Sequence, residues 1–309
     1  MTELLKLEDI SVTFQARKGL FDSVNVKALD GVSLSLNKGE TVSIVGESGS
    51  GKTTLGRVSL KLIEPSKGKV FFDGINLNQM NDHSIKSFRK KAQGIFQDPY
   101  SSLNSFMTIY QILEEPLIVH GYKNKSERKQ IVYSVLEAVK LQPVYEVAQK
   151  FPHMLSGGLR QRVGIARALT LNPDYILADE PVSMVDASNR SEILYLMKDL
   201  QQQYGMSYIY ITHDIATARH FSDKIAIMYA GRIVETGDPK DIIDDPLHPY
   251  TKALIQAIPE PNAKNRIAKR EVITGEPPSP TDLPNGCRFH PRCSVAIAGK
   301  CDEIYPTEI

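Results

Sequence analysis

The run Gly46-Glu47-Ser48-Gly49-Ser50-Gly51-Lys52-Thr53-Thr54 has the residue types and the spacing that a bound triphosphate needs. Its glycines let backbone N–H groups crowd the phosphates, Lys52 offers a point charge to the β and γ oxygens, and the Thr53 hydroxyl can hold Mg²⁺. Further along, Tyr175-Ile-Leu-Ala178 runs into Asp179-Glu180, two adjacent carboxylates at the carboxyl end of a short apolar strand. Consecutive strand residues point to opposite sides. Asp179 is therefore assigned to the metal and Glu180 to the attacking water, the division of labour that phosphoryl transfer requires. IFQDP at 95 to 99, LSGG at 155 to 158 and ITHD at 211 to 214 complete a set that points to ATP, Mg²⁺ and hydrolysis.

Several elements must position these residues. The apolar run Thr41 to Val45 predicts a strand into the loop, and Lys52 to about Ile63 a helix out of it, whose N-terminal partial charge falls on the same phosphates. Strand-like runs at Leu4 to Phe14, Val32 to Leu36 and Val70 to Phe72 surround the loop. From Asp98 the pattern turns helical, with apolar spacings of three and four over Ile109 to Val119 and Ser126 to Val139. From 156 to about 240 helix and strand alternate again. That alternation implies a mostly parallel sheet flanked by helices.

The full set resembles the nucleotide-binding subunit of an ATP-binding cassette transporter, and LSGG is its most specific part. The resemblance implies an α/β P-loop NTPase fold with an N-terminal antiparallel β part, an inserted helical subdomain at about 98–170 and a small C-terminal extension. The nucleotide-binding domain spans 1–245 and the extension 246–309. Ser156, Gly157 and Gly158 would open a helix whose N-terminus faces the γ-phosphate held by a second subunit. Two such domains, head to tail, would sandwich two ATP molecules. Gln97 resembles the Q-loop glutamine that reaches Mg²⁺ and the water. His213 resembles the switch histidine at the γ-phosphate, and Asp186 the D-loop residue that communicates across the dimer. Phe14 stands where the family places an aromatic on adenine, with Phe21 as competitor because residues 15 to 26 look like an inserted turn. The signature normally continues with glutamine, but position 159 is Leu159. That departure leaves the site on Lys52 and Glu180 intact and tilts the reading toward a heterodimer with a second ATPase subunit over a homodimer.

The tail narrows the resemblance. HPYTKALIQAIPEP at 248 to 261 and GCRFHPRCSVAIAGKC at 286 to 301 resemble the C-terminal extension of oligopeptide and dipeptide importer ATPases. All three cysteines, Cys287, Cys293 and Cys301, lie there, at intervals of six and eight. Clustered thiols outside an oxidising compartment suggest a metal before a disulfide framework. The resemblance implies a 4Fe–4S cluster on four thiolates, of which three are present. A three-Cys, one-His set with His290 would suit Zn²⁺ equally, and ordinary reduced thiols are the third reading.

Composition agrees. The 309 residues, 41% hydrophobic, can bury a substantial core, and 37 basic against 36 acidic residues leave no global field for nucleic acid. Arg89-Lys90-Lys91 and Lys123 to Lys129 read as solvated helix faces. No apolar stretch reaches the roughly 18 residues of a membrane span. The expectation is a peripheral ATPase on the cytoplasmic face of the membrane, working with two transmembrane permease subunits and, indirectly, an extracytoplasmic solute-binding protein. Peptides are the expected cargo, with oligosaccharides or nickel as relatives' alternatives. The competing reading is a soluble cassette ATPase acting on nucleic acid or the ribosome, disfavoured by a single cassette and the lack of sustained heptads. A GTPase lacks its guanine-reading Asn-Lys-x-Asp.

Overall fold

The computed structural model describes residues 2–17, 23–98, 101–257 and 275–306. Strands β1 (Glu3–Arg17), β2 (Ser23–Asn37) and β3 (Thr41–Val45) precede helix α1 (Lys52–Ser59). Strands β4 (Lys67–Phe72) and β5 (Ile75–Asn76), helix α2 (Asp82–Lys91) and strand β6 (Ala92–Ile95) follow. A run of helices comes next: α3 (Ile109–Val119), α4 (Lys125–Ala138), α5 (Val144–Gln149) and α6 (Gly157–Leu169). Alternation resumes with β7 (Tyr175–Asp179), α7 (Ala187–Tyr204), β8 (Ser207–Thr212), α8 (Ile215–Phe221), β9 (Lys224–Tyr229) and β10 (Arg232–Gly237). Helices α9 (Pro239–Asp244) and α10 (Pro249–Gln256) lead into the tail. Strands β2, β1, β4 and β5 form a four-stranded sheet in that order.

The chain divides into two compact units. One comprises 1–5, 36–41 and 71–211. In it β6, β7 and β8 pair in parallel, with Ile95 opposite Ala178 and Asp179 opposite Ile211. Every residue of β7 and β8 is buried, so both read as continuous apolar runs, the expected pattern for parallel strands covered on two faces. Helices α3 to α6 pack on one another around Ile112, Leu113, Leu117, Val132, Leu136 and Val163. Their starts are written in the sequence. Thr108 and Gln111 form a reciprocal capping box on α3, and Asn124 accepts from the Ser126 and Glu127 N–H groups of α4.

The other unit comprises 6–35, 42–70 and 212–309. Its β3 pairs in parallel with β9, and β9 turns back antiparallel into β10. A core of Val45, Ile215, Ile225, Ile227, Tyr229, Ile242, Tyr250 and Phe289 joins β3 and β9 to α8, α9, α10 and the tail.

Helices α3 and α4 fall within one residue of the runs the spacing marks, and β3 matches its own. Helix α1 stops at Ser59, four residues short of Ile63, because Lys61 takes a left-handed φ of 52° and its N–H turns back to the Val58 carbonyl. The segment taken for an inserted turn is instead strand at 15–17 and 23–26, since neighbouring strands β1 and β2 supply ladder partners to each other. Phe21 lies outside the described residues. Among the described residues no helix is long and apolar enough to cross a membrane.

Leu113 is fully buried where α3 meets α4, α5 and α6. Leu113→Ala should cost about 3 kcal/mol of folding stability by emptying that site, read as a lower urea midpoint with unchanged slope.

Candidate functional site

The phosphate loop is shaped by close backbone approaches within its own unit. A Cβ on Gly46 would stand 2.2 Å from the Met228 carbonyl oxygen, and one on Gly51 would stand 2.6 Å from that of Ala28. Gly51, the N-cap of α1, also has φ of 102°, a conformation that only glycine adopts readily. The loop is pinned from outside as well: the Gly231 N–H donates to the Ser50 carbonyl at 2.9 Å, and the Asp30 N–H donates to the Gly231 carbonyl at 3.0 Å. Lys52 is buried at 6% exposure, and its Nζ donates to the carbonyls of Gly46 at 2.7 Å and Glu47 at 2.8 Å. The ammonium therefore sits inside the loop's curl. The Ser50 Oγ is buried with no hydrogen-bond partner among the described residues. A buried hydroxyl in this state, beside a lysine and the first turn of a helix, fits an anion. Thr53 and Thr54 stand in that first turn. His213 belongs to the same unit, exposed just past β8, where Asp214 caps α8 by accepting from Ala216 N–H at 2.9 Å. Phe14, on β1, is 41% exposed.

The carboxylates belong to the other unit. Asp179 ends β7 and is 5% exposed. Glu180 follows in a left-handed conformation with φ of 46°, which is strained for a side chain of this size. Its N–H is tied to the Ile211 carbonyl at 2.9 Å, and its own carbonyl accepts from the Ser183 Oγ at 3.0 Å. The chain's turn off the strand is thus over-determined on both sides. Gln97 Nε2 donates to Glu180 Oε2 at 3.1 Å, which brings together two residues separated by 83 positions. The sequence reading assigned both to the water. Asp179 and Gln97 carry hard oxygen donors, the chemistry Mg²⁺ takes.

Helix α6 begins at Gly157 with Ser156 as N-cap. Ser156 is exposed and makes no side-chain cap bond, while the Arg160 Nε closes the turn on the Leu155 carbonyl at 3.0 Å. Beside it lies a hollow of about 290 Å³ lined by Ser156, Gly158, Leu159, Arg162, Asn189 and Glu192. Leu159 is 39% exposed there. Asp186 is the exposed N-cap of α7.

In the tail the three cysteines are free thiols, partly buried. The Cys287 N–H donates to the Cys301 carbonyl at 2.8 Å, and the Cys301 Sγ accepts from the Ile297 N–H. Burial pushes the Cys287 thiol up in pKa. His290 Nδ1 donates to the Cys287 carbonyl at 2.9 Å. Among the described residues no three His, Cys, Asp or Glu gather as a metal-holding group, so the iron–sulfur and zinc readings find no support. The tail instead touches the phosphate loop. Arg292 donates to the Glu47 carboxylate at 3.0 Å, and the Tyr250 hydroxyl accepts from the Glu47 N–H at 3.0 Å. The sequence reading missed both contacts, and no local pattern could have shown them.

Residues 29–183 match the family described as ABC transporter, and residues 234–301 match the oligopeptide/dipeptide transporter C-terminal region. The dipeptide transport ATP-binding protein DppF of Haemophilus influenzae is 46% identical over 309 residues, covering 99% of this chain and 92% of that protein. The oligopeptide transport ATP-binding protein AppF of Bacillus subtilis is 44% identical, covering 95% and 90%. Among solved structures, the ATP-binding cassette MJ0796, in a dimeric post-hydrolysis state bound to ADP and Pi, superposes with a TM-score of 0.67 at 32% identity, covering 76% of this chain and 99% of that one. Clostridium perfringens cbiO1, part of the ABC transporter complex cbiONQ, gives 0.68 at 28% identity, covering 79% and 92%.

The start of α10 carries a titration. His248 Nδ1 accepts the Tyr250 N–H at 3.1 Å, which requires an unprotonated nitrogen. Burial lowers its pKa below the ordinary 6.5, against the weaker opposite pull of Glu235. Between the lowered value and 6.5 the unfolded chain binds more protons, so stability is whole above that window and falls as pH falls through it. Thermal unfolding from pH 7.5 to 5 should show this loss, and His248→Asn should flatten it.

Proposed function

The chain belongs to the ABC transporter family, among its oligopeptide and dipeptide transport ATP-binding proteins, and we propose that it powers uptake of peptides through separate membrane subunits. The observation that carries this reading is similarity over nearly the whole chain, tail included, to proteins named for that transport. The domain assignment is 1–245 for the cassette and 246–309 for the importer-type extension.

In the proposed reaction Lys52 and the N–H groups of the loop and of α1 bind the β- and γ-phosphates of ATP. Thr53, Gln97 and Asp179 would hold Mg²⁺, which neutralises charge on the transferring phosphoryl group. Glu180 orients the water and accepts its proton, and Gln97 steadies the carboxylate. The bond to the γ-phosphorus forms from that water as the bond to ADP breaks, and His213 steadies the γ-phosphate. Phe14 stacks on adenine. Ser156, Gly157 and Gly158 act on the nucleotide of a second ATPase subunit, with Asp186 communicating between the two. Leu159 favours a partner of different sequence. Two permease subunits dock on the helical part, where Phe106, Ile118, Val119 and Met154 are exposed. On this reading the chain works at the cytoplasmic face of the membrane, reached only indirectly by a solute-binding protein. The described part of the tail packs on the phosphate-loop unit through Tyr250, Phe289 and Arg292.

Glu180→Gln should bind Mg-ATP with near-parental affinity, while turnover of the assembled transporter falls by about 10²-fold or more, since removing a positioned general base costs at least that. A variant that turns over near the parental rate would sink the assignment. Purification from membranes in mild detergent should recover multispanning permease chains and a second cassette ATPase.

A further inference from the structure

One residue of the phosphate loop, Glu47, is gripped three ways. Its carbonyl accepts Lys52 Nζ at 2.8 Å from within the loop. The other two grips come from the C-terminal end of the chain. The Tyr250 hydroxyl takes the Glu47 N–H at 3.0 Å, and Arg292 spans the carboxylate, with Nη1 3.0 Å from Oε2 and Nη2 3.4 Å from Oε1. The Arg292 side chain is 8% exposed and that of Glu47 26%. A forked pair this dry is held in geometry and costly to break on one side, unlike a pair on open surface.

The platform beneath the grip is a buried aromatic cluster. The rings of Tyr229 and Tyr250 have centroids 4.6 Å apart, and Phe289 lies 5.3 Å from the first and 5.4 Å from the second. Cys287 and Cys293 pack against this cluster. The Arg292 guanidinium carbon stands 5.9 Å over the Tyr229 ring and Nη1 reaches the Tyr229 hydroxyl at 3.3 Å. Arg288 fastens the segment again, on Asp30 and on the Ala230 carbonyl, next to the Gly231 that supports Ser50. The tail thus holds the loop directly at Glu47 and indirectly at Ser50.

Glu47 is an anion inside a loop built to receive an anion, and Arg292 is what neutralises it. We propose that Arg292, with Tyr250, is a positioning residue for nucleotide: the C-terminal segment is a brace that cancels the Glu47 charge and fixes the loop, so ATP affinity is set 245 positions away from the loop. This rests on the reading of the loop as an ATP site.

Equilibrium binding of a fluorescent ATP analogue with Mg²⁺ to the full-length protein tests it. Arg292→Ala should weaken binding about tenfold, toward the lower end of ordinary coupling between sites. Adding Glu47→Gln to that variant should restore most of the loss, because the uncompensated charge is gone; a merely structural role would leave the double variant as weak as the single one. Parental affinity in Arg292→Ala, or no recovery in the double variant, overturns the proposal. Should Arg292→Ala fail to fold, Tyr250→Phe decides, since it deletes only the acceptor of the Glu47 N–H: a severalfold loss supports the brace and parental affinity overturns it. Lys52→Ala separates the two levels of the reading. If it binds the analogue like the parent, the loop is not the ATP site at all; if it loses binding while Arg292→Ala does not, the brace alone is wrong.

Discussion

A loop that receives a polyanion must present backbone N–H groups at close range, and that requirement leaves no room for side chains behind it. At Gly46 and Gly51 the space a Cβ would need is already filled by the carbonyls of Met228 and Ala28. The loop is thus packed closely against main chain of β9 and β2. Any rearrangement of those strands would move the loop. The Gly231 and Ser50 hydrogen bond and the Glu47 contacts carry the same dependence outward to the β9–β10 turn and to the tail. Charge follows geometry: Lys52 Nζ donates to loop carbonyls, and the Glu47 carboxylate is held against a guanidinium.

The carboxylate side depends on strain of another kind. Glu180 leaves a buried strand in a left-handed conformation, which costs about 1–3 kcal/mol for a residue with a side chain. The Ile211 carbonyl, the Ser183 N–H and hydroxyl, and Gln97 hold it there. Asp179, one position earlier, keeps the regular strand geometry and stays buried. Adjacent carboxylates therefore end up in unlike surroundings, the condition for giving one to a metal and the other to a water.

What the sequence made legible was whatever is local. Thr41 to Val45 and Ile109 to Val119 are short runs whose pattern decides their structure, and the strand and the helix stand on those residues. Helix α1 was read too long because the apolar spacing continues past Ser59, although the Lys61 backbone turns left-handed. The extension of β1 and β2 was hidden because a polar, half-exposed strand carries little periodic signal and is held by its partner. Gln97 could be placed at Glu180 only through a family pattern, since 83 positions separate them. Arg292 and Tyr250 had no such help. The cysteines suggest a metal by their clustering in the sequence, but in the fold Cys287 and Cys293 pack against an aromatic cluster and no metal-holding group forms among the described residues.

Glycines that look alike in the sequence differ in what demands them. Gly46 and Gly51 are required by this chain, because its own carbonyls occupy the Cβ positions. Gly158 is not: a Cβ there would meet only ordinary contacts at 3.8 Å with Asn189 and Val185. Its neighbour Ser156, at the start of the same helix, is exposed and caps nothing with its side chain. Alanine at Gly158 would serve α6 better by propensity alone. Among the described residues nothing in the space around Gly158 requires a glycine, which leaves room for something to approach the helix N-terminus closely. In the proposed dimer that something is the phosphate of the partner's nucleotide, for which a bare backbone and a free hydroxyl are the fitting surface.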